Sequence, residues 1–170
     1  MITLRTMATA FIFNKDKVLL MERSKERKLA PGIWAAVGGH IESNEMNFPK
    51  VACLREIEEE TGLVEEQLYA LDLRYIIMRK CDKEIRIQYV YIGKTNETNI
   101  KQCDEGLLYW IPELKLFDRT LSFTTKMTLK HYIEHRNNLD KIIVGVVNED
   151  CGSPIMNWNM IEDWNSNSLV

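Results

Sequence analysis

The sequence lacks several features that mark membrane, secreted and nucleic-acid-binding proteins. No apolar run reaches the length of a membrane-spanning helix, and Met1 to Arg5 contains no apolar core of a signal peptide. The formal net charge of −3 disfavours a general nucleic-acid-binding surface, which would be basic. No repeat or low-complexity linker interrupts the 170 residues. We therefore predict a single domain, residues 1–170, that binds neither a membrane nor a nucleic-acid polymer.

The cysteines also lack the spacing of a metal site or a disulfide framework. The four are Cys53, Cys81, Cys103 and Cys151, and no two of them form a C-x-x-C pair. This usage is typical of reduced thiols, so we predict a cytoplasmic location. We expect Cys53 to be a small packing residue rather than a reactive thiol.

The most informative segment that is present is an acidic stretch ending at a glycine. Four glutamates fall within five residues, at positions 56, 58, 59 and 60, shortly before Gly62. The residues from Val51 to Thr61 are good helix formers, Pro49 suits a first turn, and Asn47 is a candidate N-terminal cap. Gly62 suits the left-handed residue that ends a helix. We therefore predict a helix from Val51 to Thr61.

Three of these glutamates share one side of the predicted helix. Glu56, Glu59 and Glu60 lie at i, i+3 and i+4 and span an arc of roughly 100°. Like charges at this spacing, close to the helix C-terminus, destabilise a helix. A divalent cation would remove that penalty, and Mg²⁺ or Mn²⁺ prefers carboxylate oxygens. The pattern indicates either a metal site or a solvated acidic helix face, which is also common.

A glycine pair precedes this helix. Gly38 and Gly39 follow the apolar stretch Ile33 to Val37, and a polar loop leads from them to the helix. We therefore predict a strand–loop–helix unit in which the glycine backbone approaches a ligand closely.

These residues resemble the signature of the Nudix hydrolases. The signature reads Gly, five residues, Glu, seven residues, Arg-Glu, an aliphatic residue, one residue, Glu-Glu, one residue, Gly and an aliphatic residue. The matching positions within residues 39–63 are Gly39, Glu45, Arg55, Glu56, Ile57, Glu59, Glu60, Gly62 and Leu63. The chain departs from the signature in having nine residues, Met46 to Leu54, between Glu45 and Arg55. Val37 also stands where many members have proline.

The resemblance covers about Thr3 to Arg136 and implies an α/β/α sandwich with a mixed β-sheet between helices. The implied ligands of Mg²⁺ or Mn²⁺ are Glu56, Glu59 and Glu60, with the Gly39 carbonyl as a further ligand. Arg55 lies at i, i+4 to Glu59, so we expect it to orient that carboxylate for catalysis. A simple surface ion pair is the alternative for Arg55.

Two further candidates lie outside the signature. Family members often place an acid a few residues before a strand tryptophan, where it binds metal or accepts a proton from water. Glu105 stands in that position before Trp110, with Asp104 as its rival, and an ordinary loop acid is the alternative. Arg23 ends a predicted strand, where family members often contact a phosphate; a surface arginine is the alternative.

The rest of the chain alternates between strand and helix patterns. The predicted strands are Thr3 to Phe13, Lys17 to Glu22, Leu68 to Met78, Ile85 to Ile92, Leu107 to Ile111 and Ile142 to Val147. The connections include a charged loop, Ser24 to Leu29, and a hairpin turn, Lys80 to Lys83. Thr124 to Arg136 is a predicted second helix. The tail, residues 151–170 with Trp158 and Trp164, fits an edge strand, a flap over the nucleotide site or a dimer contact.

The resemblance implies attack of water on a phosphorus atom of a nucleoside diphosphate linked to another group. No proline lies between Pro49 and Pro112, where the ADP-ribose group commonly has one, and Met78-Arg79 replace the tyrosine of the dinucleoside polyphosphate group. The layout is most similar to MutT-type enzymes. We therefore predict hydrolysis of a (d)NTP, with 8-oxo-dGTP as a candidate, to monophosphate and pyrophosphate. The alternatives are a pyrophosphatase for ADP-ribose or a dinucleoside polyphosphate, and a nucleotide-binding sensor without turnover. Dimers are frequent in the family, so a homodimer is a further expectation.

Overall fold

The computed structural model describes residues 1–24, 32–138 and 140–163. Most of the predicted charged loop, Ser24 to Leu29, lies outside the described residues, as does Trp164. Within the described ranges, no helix is long and apolar enough to cross a lipid bilayer.

The described residues form nine strands and two α-helices. The strands are β1 Thr3–Asn14, β2 Lys17–Arg23, β3 Trp34–Ala35, β4 Val37–His40, β5 Asp72–Cys81, β6 Glu84–Lys94, β7 Gly106–Pro112, β8 Ile142–Asp150 and β9 Ser153–Ile161. The helices are α1 Pro49–Thr61 and α2 Phe123–His135. Short 3-10 helices lie at Glu65–Gln67, Glu113–Asp118 and Arg136–Asn138.

All nine strands belong to one mixed sheet. Its order is β3-β2-β1-β6-β5-β8-β9, with β4 paired to β1 and β7 paired to β2. The pairs β1–β6 and β5–β8 are parallel, and the other pairs are antiparallel. The parallel pairing of β1 with β6 runs from Thr3 opposite Glu84 to Phe13 opposite Lys94.

The sheet separates two hydrophobic cores, one for each α-helix. Successive residues of a strand point to opposite faces, so β1 contributes to both cores. Ala8 and Ala10 pack with Ile57 of α1, whereas Phe13 packs with Leu129 of α2. A helix layer on each face of a mixed sheet confirms the predicted α/β/α sandwich.

The starts of both predicted helices shift slightly in the structure. The prediction of Asn47 as a cap is wrong, because α1 starts at Pro49 after Phe48, which makes no capping hydrogen bond. Helix α2 starts at Phe123, one residue before the predicted start. Its cap is Ser122, whose hydroxyl accepts a hydrogen bond from the Thr125 N–H at 3.2 Å.

The hairpin between β5 and β6 is tighter than predicted. The strands extend to Cys81 and from Glu84, which leaves a two-residue turn in which Asp82 has φ of 53°. The start of β5 is later than the predicted Leu68. Ala70 has φ of 74°, a left-handed conformation that interrupts an extended strand, and β5 therefore begins at Asp72.

The tail forms the last strand of the sheet over Ser153–Ile161. Strand β9 pairs with β8 from Asp150 opposite Ser153 to Ile142 opposite Ile161. The Trp158 ring packs against the rings of Tyr75 and His131, with centroid distances of 5.6 and 4.6 Å. For these residues the structure matches the edge-strand alternative.

Candidate active site

Helix α1 forms one wall of the candidate site. Its buried side chains, among them Cys53 and Ile57, fix the rotation of the helix against the sheet. The helix ends where Gly62, at φ of 74°, donates its N–H to the Glu58 carbonyl at 2.9 Å. The buried location of Cys53 matches its expected packing role, and the same burial strongly raises the pKa of its thiol.

Arg55 is the centre of a hydrogen-bond network on this wall. Its Nε and Nη2 donate to the two carboxylate oxygens of Glu45 at 2.9 and 3.0 Å. Its Nη1 donates to Glu56 at 2.9 Å and to Glu59 at 3.2 Å, and Nη2 also donates to the His40 carbonyl at 3.0 Å. The structure therefore brings Arg55 together with Glu59 as expected. The Arg55 guanidinium also bonds to Glu45 and Glu56, contacts that the i, i+4 spacing alone did not predict.

The longer spacing between Glu45 and Arg55 leaves this ion pair in place. Glu45 is buried and also accepts the Glu42 N–H at 2.9 Å. The hydrogen bonds from Arg55 and from the Glu42 backbone hold the pKa of Glu45 below its usual value. The hydrogen bond to Glu45 likewise raises the pKa of Arg55. Glu45 thus serves as the buried anchor of Arg55.

The three helix glutamates differ in burial. Glu60 is buried and accepts the Gly38 N–H at 2.8 Å, whereas the Glu59 side chain is 59% exposed. Glu56 lies between these extremes, and burial raises its pKa. Arg55 opposes this rise, and the charges of Glu59 and Glu105 add to it.

The glycine pair lies within strand β4, and the predicted polar loop follows this strand. It pairs with β1, with Gly38 opposite Thr9 and Gly39 opposite Ala8. A Cβ atom on Gly39 would lie 2.5 Å from a carboxylate oxygen of Glu56, and one on Gly38 would overlap the Ala8 carbonyl oxygen. The lack of a side chain on Gly39 lets the strand lie directly against Glu56, whereas the close approach of these glycines to a ligand stays a prediction.

A loop before β7 forms the second wall. The Lys101 N–H donates to the Thr61 carbonyl at 2.9 Å, which ties this loop to the end of α1. The Gln102 side chain accepts the Leu108 N–H at 2.7 Å and donates to the Leu108 carbonyl at 3.2 Å. The Trp110 indole N–H donates to the Thr98 carbonyl at 3.0 Å. These bonds hold the loop with its acids beside the helix.

Between the two walls lies a cleft of about 330 Å³. Its lining residues are Glu56, Glu59, Glu60, Lys101, Gln102, Cys103, Asp104 and Glu105. The structure thus gathers the three helix glutamates and both rival loop acids around one space. Lys101 and Gln102 were not predicted, because irregular loops have no periodicity that marks a position as facing a site.

Arg23 lies beside this cleft rather than in it. It lines a neighbouring cavity of about 420 Å³ together with Cys103 and Asp104, which belong to both cavities. Strand pairing explains the proximity, because Arg23 at the end of β2 lies opposite Gly106 at the start of β7. The guanidinium makes no hydrogen bond or ion pair with the residues that the structure describes.

The donor set suits a hard divalent cation, although the carboxylates now bond to protein groups. Five carboxylates line the cleft, and Mg²⁺ and Mn²⁺ prefer such oxygens. Over the described ranges, no three His, Cys, Asp or Glu side chains form a ready group for a metal ion. Glu56 and Glu59 instead accept hydrogen bonds from Arg55, and Glu60 accepts one from Gly38. Arg55 bonds to one oxygen of each of Glu56 and Glu59, so the second oxygen of each is the one that a cation would meet.

The profile of the NUDIX domain family matches residues 3–131. This protein belongs to the Nudix family. The match confirms the predicted resemblance, and membership in this family supports a hydrolase that acts on phosphorus anhydrides.

Solved Nudix structures share the fold. A MutT protein from Bacillus halodurans superposes with a TM-score of 0.66 at 20% identity, covering 92% of this chain and 97% of that chain. A Nudix hydrolase from Nitrosomonas europaea gives a TM-score of 0.70 at 18% identity, covering 86% and 80%. An Ap4A hydrolase from C. elegans, solved as a binary complex, superposes with a TM-score of 0.65 at 16% identity, covering 78% of this chain and 98% of that chain.

Proposed function

We propose that this Nudix protein is a metal-dependent hydrolase that cleaves a nucleoside triphosphate to a monophosphate and pyrophosphate. The observation that carries the proposal is the cleft in which the helix carboxylates face Asp104 and Glu105, with Arg23 in the adjoining cavity. 8-oxo-dGTP is a candidate substrate. ADP-ribose and dinucleoside polyphosphates are the alternatives, since proteins named MutT and Ap4A hydrolase have this same fold.

The carboxylates of Glu56, Glu59 and Glu60, with the Gly39 carbonyl, would hold Mg²⁺ or Mn²⁺. When bound, the cation neutralises phosphate charge and lowers the pKa of water. Glu59 is the most accessible of the three glutamates, which suits a ligand that must also meet substrate. Arg55 acts through the carboxylates as a positioning residue, because its guanidinium fixes both Glu56 and Glu59.

The loop wall supplies the proton acceptor in this proposal. Glu105 lines the cleft together with the helix carboxylates, where it can accept the proton of the attacking water. Asp104 lines both cavities and is the rival for this role.

Local cations compensate for the acidic balance of the chain. A polyanionic substrate is repelled by a net charge of −3 unless positive groups lie beside its phosphates. Arg23 in the adjoining cavity and Lys101 at the cleft supply two such groups. We assign Arg23 to a phosphate contact on this basis.

The test is turnover of a nucleotide panel in the presence of Mg²⁺, followed by chromatography of the products, because only the triphosphates would release pyrophosphate. The panel contains the canonical triphosphates, 8-oxo-dGTP, ADP-ribose and a dinucleoside tetraphosphate, and Glu59→Gln is the inactive control. Selective turnover of one triphosphate, lost in Glu59→Gln while the fold is retained, supports the proposal. Turnover of only ADP-ribose or the dinucleotide would keep the hydrolase and replace the substrate. Normal turnover in Glu59→Gln would contradict the assigned chemistry.

A nucleotide-binding role without hydrolysis is the second candidate function. The observation in its favour is that one carboxylate oxygen of Glu56 and one of Glu59 already accept a hydrogen bond from Arg55, which reduces what these two proposed ligands offer a cation. Tight nucleotide binding by calorimetry, without turnover under either Mg²⁺ or Mn²⁺, would select this alternative. A single domain over residues 1–170, a cytoplasmic location and the lack of a nucleic-acid partner stay predictions from the sequence.

A further inference from the structure

Strand β9 has a palindromic sequence. Residues 155–161 read Ile-Met-Asn-Trp-Asn-Met-Ile, which is the same in both directions about Trp158. These residues pair continuously with β8, without a bulge. The palindrome therefore lies in a regular strand, in which residues are evenly spaced and their side chains alternate between the two faces.

The outer side of β9 is an edge of the sheet. Among the residues that the structure describes, β9 pairs only with β8 and is the last strand in the sheet order. Proteins commonly protect such edges with charged side chains, bulges or short strands. Ser153–Ile161 contains no charged residue and spans nine residues, and its one protective residue is Pro154 near the start. As far as the described ranges go, this edge is thus open to another strand.

We propose that β9 pairs with β9 of a second copy of this chain, antiparallel and centred on Trp158. An antiparallel pair of identical strands has two-fold symmetry, so each residue meets the residue at the mirrored position. With Trp158 at the centre, each side chain of the palindrome lies opposite its own kind. The pairs are Ile155 with Ile161, Met156 with Met160, Asn157 with Asn159, and Trp158 with itself.

This pairing uses side chains that the protomer leaves accessible. Ile155, Met160 and Ile161 are exposed large apolar residues, with exposed fractions of 38%, 54% and 46%. Apolar residues directly opposite each other on one face stabilise an antiparallel pair. Asn157 and Asn159 are also exposed and would place two amides side by side, where they can exchange hydrogen bonds.

The charges beyond the palindrome are compatible with the same register. Glu162 and Asp163 would lie opposite Pro154 and Ser153 of the second copy rather than opposite each other. Like charges directly opposite each other destabilise a strand pair, and this register avoids them. A second copy of the chain is therefore a suitable partner for this edge.

The test compares two double variants of the exposed asparagines by sedimentation over a dilution series. Asn157→Lys with Asn159→Lys places lysine opposite lysine in the proposed register. Asn157→Lys with Asn159→Glu changes the same two positions but places lysine opposite glutamate. We expect a dimeric wild type, a dimer dissociation constant raised by about tenfold or more in the lysine–lysine variant, and a retained dimer in the lysine–glutamate variant.

The matched pair also tests the register. A shift by two residues would place position 157 of one copy opposite position 157 of the other. The lysine–glutamate variant would then bring two lysines together and lose its dimer as well. A dimer that neither variant weakens, or that both weaken equally, would therefore overturn the proposal.

The oligomeric state of the wild type is itself a test of the proposal. Both substituted side chains are exposed, so we expect both variants to remain folded. Circular dichroism and turnover check this. A monomeric wild type would overturn the proposal and leave the edge to another occupant, such as residues 164–170.

Discussion

The two walls of the cleft are built in different ways. On α1, charged side chains hold one another, and Arg55 alone makes hydrogen bonds to three carboxylates. On the facing loop, hydrogen bonds from backbone groups and from neutral side chains such as Gln102 and Trp110 anchor the chain. The helix wall is therefore an electrostatic network that a single substitution can unbalance. The loop wall is a scaffold of backbone and side-chain hydrogen bonds, on which Asp104 and Glu105 line the cleft.

After the inactive Glu59→Gln control, the largest effect is expected on the loop wall. Glu105→Gln removes the proposed proton acceptor and should lower kcat by about 10²–10⁴. Asp104→Asn is the matched control and should lower kcat by less than about tenfold. Steady-state kinetics on the substrate found with the panel measures both. A larger loss in Asp104→Asn would transfer the role to Asp104.

On the helix wall, Arg55→Ala should change both activity and stability. It leaves buried Glu45 without its cation, and we expect a loss of about 2–3 kcal/mol in the free energy of unfolding. This loss is smaller than the loss expected for breaking a fully buried ion pair, because the Arg55 side chain is 26% exposed. Turnover should fall by about 100-fold as Glu56 and Glu59 lose their orientation.

The control for Arg55→Ala is Arg136→Ala, which removes an arginine paired with Glu113 outside the cleft. It should cost at most about 1 kcal/mol and leave turnover unchanged. Denaturant unfolding and kinetics on both variants make the comparison. Unchanged turnover in folded Arg55→Ala would show that the network is structural only.

An intermediate effect is expected where strand β4 meets the helix wall. In Gly39→Ala the new methyl group would displace the Glu56 carboxylate, and turnover should fall by about tenfold while the protein stays folded. In Gly38→Ala the methyl group meets the backbone of β1, and Gly38 has φ of 134°. We expect that variant to lose stability instead, as measured by thermal unfolding. Equal stability losses would contradict this division.

The smallest effect concerns the pH dependence of stability. Arg55 lowers the pKa of Glu45 in the folded protein, so the unfolded chain binds this proton more readily. The resulting stabilisation is present above the ordinary glutamate pKa and is lost as the pH falls through the lowered folded-state pKa. Glu45→Gln should therefore flatten the acid side of the stability profile from denaturant unfolding. An unchanged slope between wild type and variant would rule out this linkage.

The contrast between the walls also explains which parts of the site were predictable. Helix periodicity fixes Glu56, Glu59 and Glu60 relative to Arg55, so their arrangement follows from spacing. The residues of the loop wall depend on backbone turns and on bonds such as that from Lys101 to Thr61, and no spacing encodes these. Glu105 was found only through the family resemblance.

The alternating strand and helix patterns favour a mixed sheet between helices, and the more specific α/β/α sandwich came from the family resemblance, whereas local boundaries were not predictable. The positive φ of Ala70 and the placement of the glycine pair inside β4 are tertiary outcomes. Alanine has no sequence preference for a left-handed conformation, and paired glycines favour a loop as readily as a strand. Neither feature has a local signal that would have revealed it.

The parallel pairing of β1 with β6 has a consequence for synthesis of the protein. At the centre of the sheet, Thr3 pairs with Glu84 and Phe13 pairs with Lys94. This pairing cannot form until β6 has left the ribosome. Helix α1 is made earlier, and its apolar side then lacks a completed sheet to pack against. Such distant pairings form slowly because the long intervening chain must first be ordered. The order of the strands thus delays assembly of the carboxylate cleft until more than half of the chain has been translated.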